Sequence, residues 1–158
     1  MVRCGIGFDA HKFGVGRKLI LGGIEIHHDR GLEGHSDADV LSHAIADALL
    51  GAAGLGDIGM MFPDSDPNLK NISSLIILEK ISQRLQNSGW EIGNIDSTII
   101  AETPKISQYS DEMKLALAKA LNLKPEQINI KGKTTEGLGF AGRQEGIAAL
   151  ATALITNK

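Results

Sequence analysis

Aromatic side chains are scarce in this sequence: phenylalanine, tryptophan and tyrosine together make up 4% of 158 residues. A core must therefore be filled by leucine, isoleucine, valine and alanine, within an ordinary hydrophobic share of 42%. The single cysteine, Cys4, excludes an internal disulfide framework. Lying in strand-like sequence, it is expected to be a small buried hydrophobe rather than a reactive thiol. Long basic runs are also missing and the net charge is −3, so the electrostatic footprint of a duplex nucleic-acid binder is absent. A phosphate ligand is not excluded, because it needs only local positive charge or helix N-termini. The most apolar run, Ala48 to Leu55, is interrupted by Gly51 and Gly54 and is too short to span a bilayer. No export signal is visible near the start. The expectation is a cytoplasmic protein with no membrane or nucleic-acid partner.

What is abundant is glycine, with 19 residues, which points to tight turns and close backbone approaches. The length suits one domain, expected over residues 1–158. Val2 to Phe8 reads as a strand leading into Asp9-Ala10-His11. Gly22-Gly23 between Leu19-Ile20-Leu21 and Ile24-Glu25-Ile26 is a hairpin signal, followed by a loop over Asp29 to Gly34. A helix is expected after Ser36, with Asp39 completing a capping box. A second helix fits Ile72 to Asn87, ended by Gly89. Ile92 to Ala101 is strand-like. Ser107 is placed to cap a third helix that Asn122 ends in the left-handed conformation, and Gln127 to Lys133 alternates like a strand. Gly146 to Ile155 reads either way: its alanines favour a helix, and its apolar content also suits a buried strand. Mixed elements with a hairpin argue for an α+β fold.

Asp9 and His11 are two apart. In an extended segment such residues share a face, so both can reach one ion. One carboxylate with two imidazoles is a catalytic zinc set that leaves a fourth position open. The other histidines are His27, His28, His35 and His43. His27 and His28 follow the hairpin and read as exposed. His43 lies in the first helix, where Asp47, one turn on, or Asp39, one turn back, could orient it. A helical His-Asp pair also occurs without any metal.

Three further segments carry chemistry. His35-Ser36-Asp37-Ala38-Asp39 precedes a helix, where backbone N–H groups attract anions, although Ser36 and Asp39 are equally explained as caps. Asp57-Ile58-Gly59 and Phe62-Pro63-Asp64-Ser65-Asp66 place several carboxylates in one loop, and turns also favour aspartate for their own geometry. Lys131 to Phe140 gathers lysines, hydroxyls and glycines into a plausible phosphate cradle. In it Glu136 could present Mg²⁺ to a diphosphate, and an exposed polar turn is the plainer alternative.

Taken in order, these segments resemble one family over nearly the whole chain, the 2-C-methyl-D-erythritol 2,4-cyclodiphosphate synthases of non-mevalonate isoprenoid biosynthesis. The likeness rests on Gly7 to His11, His35 to Val40, His43 with Asp47 to Gly51, Gly56 to Gly59, Phe62 to Asp66, Pro104-Lys105 and Thr134 to Arg143. It implies a zinc ion on Asp9, His11 and His43, and a Mg²⁺ or Mn²⁺ ion reached by Glu136. His35 and Thr134 would stabilise the transition state. Ser36, Asp57 to Gly59 and Phe62 to Asp66 would line the methylerythritol and phosphate region. Ala101, Pro104, Lys105, Ile106 and Ser107 would form the cytosine pocket, and Lys133 to Thr135 would hold the cytidine phosphates. Phe140 and Arg143 match ligand-contacting positions. Gly132-Lys133 departs from a common Ala-Thr pair, so Lys133 offers either its charge or only its backbone.

The implied reaction is the cyclisation of a cytidine diphosphate ester with loss of CMP. A non-catalytic cytidine-nucleotide-binding module is the alternative. The implied fold is a four-stranded mixed sheet backed on one face by helices. It would assemble as a homotrimer with the sheets facing inward and active sites between subunits. In that assembly the small residues of Gly146 to Ile155 would let the sheets approach.

Overall fold

Alternating side chains make Val2–Gly14 one long strand, β1, whose odd-numbered residues from Gly5 to Phe13 face the interior. A computed structural model describes residues 1–157. After β1 come β2 (Leu19–Leu21), β3 (Ile24–Ile26) and β4 (Gly31–Leu32), then the helices α1 (Val40–Ala53), α2 (Ile58–Met61) and α3 (Ser74–Asn87). The chain continues through β5 (Glu91–Ile100), α4 (Ser110–Leu121), β6 (Ile128–Lys133), α5 (Gly139–Gly142) and β7 (Gly146–Thr156). The main sheet has the order β4-β1-β7-β5-β6, antiparallel except for the parallel β5–β6 pair. The hairpin β2–β3 stands apart from it. Among the described residues no helix is long and apolar enough to cross a membrane.

The sheet therefore has five strands, not four. The extra one is the two-residue β4, in the segment expected to be a loop, where Phe13 and Gly14 pair with Leu32 and Gly31. The ambiguous Gly146–Thr156 segment is a strand despite its alanines, because it sits between β1 and β5 and both its edges are paired. Ile147, Ala149, Ala151, Ala153 and Ile155 are buried, while Leu150, Thr152 and Leu154 are exposed on the other face. These alanines accordingly make room for α1, which packs across β1 and β7, and not for a neighbouring sheet.

Gly5 and Gly7 allow the same close approach from β1. A Cβ on Gly7 would lie 1.9 Å from the Ala44 carbonyl oxygen, and one on Gly5 would lie 2.1 Å from that of Ala48. The even-numbered side chains of β1 point away from α1, which leaves Cys4 exposed instead of buried. Val2, Ile6 and Phe8 are exposed on the same face.

Helix α1 starts later than its first polar residues suggest. Ala38 has φ +56°, which breaks the helical path after Ser36. Asp39 is the N-cap and accepts a bond from the Ser42 N–H. Its buried carboxylate also accepts from the N–H groups of Gly22 and Gly23, at 2.9 and 2.7 Å, tying the hairpin turn to the helix. Both glycines have positive φ, as a tight hairpin turn requires. Ser107 caps nothing: Ile106–Gln108 forms a single 3₁₀ turn and α4 begins at Ser110. Asn122 does end α4 in the left-handed region, at φ 56° and ψ 46°.

The glycine face of β1 leads to a test. Gly7→Ala should destabilise the fold by about 3 kcal/mol or more, since the clash is with helix backbone. Gly51→Ala, where nothing lies within 4 Å of an added Cβ, should stabilise by about 0.5–1 kcal/mol. Thermal unfolding of the two variants beside the parent chain reads both.

Candidate active site

Where β1 continues beyond Gly7, its interior face carries Asp9 and His11, and α1 supplies His43 opposite them. Three ligand atoms meet there. Asp9 Oδ2 lies 2.8 Å from His11 Nε2 and 3.0 Å from His43 Nδ1, and the two nitrogens are 3.1 Å apart. All three residues are partly buried.

The neighbours decide which nitrogen of each ring faces the cluster. His11 Nδ1 is 2.7 Å from the Glu33 carbonyl oxygen. A carbonyl only accepts, so Nδ1 carries the proton and Nε2 faces Asp9. His43 Nε2 lies 3.0 Å from Ser36 Oγ and 2.9 Å from Ser74 Oγ. Ser74 donates its hydroxyl proton to Asp37, 2.5 Å away, so its oxygen accepts from His43 Nε2–H. That leaves a lone pair on His43 Nδ1, aimed at a carboxylate oxygen. Electron-rich atoms this close need a proton or a cation between them. Ligand atoms ~2.0–2.1 Å from a tetrahedral zinc stand about 3.4 Å from one another, so a small opening of the triangle admits the ion.

The electrostatics agree. Burial alone would raise the Asp9 carboxyl, but hydrogen bonds from His11 and His43, with their charges, hold its pKa at about 2. Burial would lower His11, yet the bond and charge of Asp9 overcome it and raise its pKa. Asp9 is thus ionised at neutral pH, and a metal binding at His11 would compete with a proton that Asp9 helps to hold there.

Neither expected orienter of His43 plays that part. Asp39 is committed to the helix cap and the hairpin. Asp47 accepts the Ile58 N–H at 2.8 Å and so fastens the start of α2 to α1. Serine hydroxyls take their place, with Asp37 behind Ser74. Ser74 was not legible as a site residue, because it starts another helix 31 residues beyond His43 and carries no motif.

The triad opens into a cavity of ≈ 290 Å³ that also exposes His35, Ser36, Asp47, Ile58, Gly59, Phe62 and Asp64. Asp57 and Asp66 do not line it and serve as caps, accepting from the N–H groups of Met60 and Asn68. Pro63 and Ser65 are exposed in the same loop. A second cavity of ≈ 410 Å³ lies at the ends of the parallel strands β5 and β6, lined by Ala101, Pro104, Lys105, Ile106, Ser107, Lys133 and Thr134, with Glu102 and Gly132. In open sheets this end of parallel strands is a common ligand position. Within one chain the structure does not join the cavities: no residue lines both, and His35 and Thr134 fall on different ones. Thr135 and Glu136 follow in the turn after β6. Phe140 borders a third cavity, beside Ala10, Lys12 and Glu145, and Arg143 pairs with Glu145 at 2.9 Å. His28, expected to be exposed, is half-buried instead: it stacks on Phe13 and its Nε2 lies 2.8 Å from Thr103 Oγ1.

The chain is similar to known proteins in sequence and fold. The model of the YgbB family matches residues 2–156. A 2-C-methyl-D-erythritol 2,4-cyclodiphosphate synthase of Caldicellulosiruptor bescii is 58% identical over 155 residues, covering 98% of this chain and 99% of the relative. The bifunctional IspDF of Campylobacter jejuni is 43% identical with a TM-score of 0.96; the match covers all of this chain and 43% of that one. IspF of Plasmodium falciparum, solved as a CDP complex, is 36% identical with a TM-score of 0.88, over 99% of this chain and 97% of that one. With the family model and a close full-length relative in agreement, the chain belongs to the YgbB family.

Proposed function

We propose that this chain is a 2-C-methyl-D-erythritol 2,4-cyclodiphosphate synthase. The observation that carries the reading is the Asp9–His11–His43 triangle opening into a cavity lined by His35 and Ser36, in a chain 58% identical to a synthase of that name. In the reaction, a 2-phosphate oxygen of 4-diphosphocytidyl-2-C-methyl-D-erythritol 2-phosphate attacks the β-phosphorus. A new P–O bond closes the ring. The bond from the β-phosphorus to the bridging oxygen breaks, and that oxygen leaves with CMP.

No protein nucleophile is needed. The task is to fold a polyanion back on itself and hold the reacting atoms close, which alone can supply much of the rate. Asp9, His11 and His43 would hold zinc. Glu136, an exposed carboxylate at a turn tip, would offer an oxygen to Mg²⁺ or Mn²⁺, hard ions that take their other ligands from phosphate and water. When bound, the two ions would supply charge neutralisation on the phosphates. His35 and Ser36 would position the methylerythritol phosphate, with Ile58, Gly59, Phe62 and Asp64 excluding water around it. The loop Ala101 to Ser107 would take the cytosine, and Lys133 to Thr135 its phosphates, with Thr134 donating to the transferring group.

Because the two cavities are separate within a chain, the working site would be completed by a neighbour in a homotrimer. The exposed apolar face of β1 and β7 suits burial between sheets. Light scattering should give three chains per particle.

Zinc should bind one per chain, and titration in buffers of differing ionisation enthalpy should show proton release, with affinity falling as pH drops because a larger fraction of His11, whose pKa is raised by Asp9, is then protonated and must lose that proton to the metal. Ser74→Ala, which leaves His43 less well oriented, should weaken zinc binding about tenfold. With zinc and Mg²⁺ present, the substrate should yield CMP and a cyclic diphosphate in equal amounts. Absence of CMP under all metal conditions would sink the reading, leaving a nucleotide-binding module. His35→Ala and Thr134→Val should each lower kcat by roughly 100-fold, the usual scale for a lost transition-state donor, with zinc content unchanged.

A further inference from the structure

Glu136 and Gly137 follow one another at φ +54° and +82°. Leu138 N–H donates to the Thr135 carbonyl at 3.0 Å, closing a turn around them. Two left-handed residues in succession give a type I′ turn, a conformation that suits glycine or asparagine. Glutamate at the first of these positions is held there by its surroundings.

The holder is Glu102. Its Oε1 accepts from Thr135 N at 3.0 Å and from Gly137 N at 3.4 Å, the two main-chain donors that flank Glu136. Thr135 Oγ1 is also near, at 3.3 Å, but its single proton goes to the Leu138 carbonyl at 2.6 Å. The contact therefore rests on the backbone donors. Glu102 itself belongs to the loop after β5 and lines the cavity at the strand ends. One carboxylate thus ties the loop after β5 to the turn after β6. Glu136 makes no hydrogen bond or ion pair among the described residues, so its carboxylate is available to a ligand while its backbone is fixed.

We propose that Glu102 is a positioning residue that fixes the Glu136 turn, through the Thr135 and Gly137 N–H groups, so that Glu136 meets a divalent cation bound to a cytidine diphosphate. This rests on the assignment of Glu136 to that cation.

The test is Mn²⁺ binding to the zinc-loaded protein at saturating CDP, followed by calorimetry, with Glu102→Leu and Glu102→Gln compared. Leucine removes both acceptors, while glutamine keeps a carbonyl oxygen for the N–H groups. Glu102→Leu should raise the Mn²⁺ dissociation constant about tenfold, and Glu102→Gln should return it to within about threefold of the parent, the scale on which supporting residues act on metal affinity. Amide exchange at Thr135 and Gly137 should quicken in Glu102→Leu alone. In a Glu136→Gln background, Glu102→Leu should cause no further loss of Mn²⁺. Unchanged Mn²⁺ binding in Glu102→Leu, an equal loss in Glu102→Gln, or equal weakening of CDP without metal would each overturn the proposal. If the parent chain binds Mn²⁺ with CDP yet releases no CMP from the substrate, the cyclase reading fails and this one stands.

Discussion

The distance between α1 and β1 governs most of what this structure can do. Gly5 and Gly7 bring helix backbone against strand backbone, with a clearance that would not hold one methyl group. The strand then changes character: after two glycines the same face presents Asp9 and His11, and the helix presents His43. Close contact at one end sets the gap at the other, where three side chains meet in a triangle that a small opening would fit to an ion. The alanines of β7 serve the same approach from the neighbouring strand.

Polar groups around the site are distributed so that each has one task. Asp39 joins helix cap to hairpin, Asp47 joins α1 to α2, and Asp37 reaches His43 only through Ser74. Three carboxylates in one short stretch therefore point in three directions. Spacing along α1 made Asp39 and Asp47 look like partners of His43, because residues one helical turn apart lie on one side. The structure gives that role to hydroxyls contributed from Ser36 and from the start of α3. A serine oxygen that accepts from the imidazole and donates to a carboxylate fixes the tautomer without placing a second negative charge against Asp9.

Much of the site was nonetheless readable. The structure gathers Asp9, His11, His43, His35 and Ser36 on one cavity and Ala101, Pro104 to Ser107, Lys133 and Thr134 on another, while Phe140 borders a third. The readings that failed were those that depend on what lies across from a residue. Cys4 is exposed because its side chain falls on the strand face away from α1, and His28 is half-buried because it finds Phe13 and Thr103. Glu102 had no motif to mark it, since its partners are main-chain N–H groups 33 and 35 residues further along.

By itself the sequence determined the local geometry: the Gly22-Gly23 turn, the left-handed end of α4 at Asn122, and the shared face of Asp9 and His11. Each follows from the backbone preferences of a few adjacent residues. Tertiary structure decided the rest. Gly146–Thr156 became a strand because two strands were there to pair with it, against the preference of its alanines. His43 was selected from among the remaining histidines because α1 lies on the glycine face of β1, a relation between segments that no window of sequence contains.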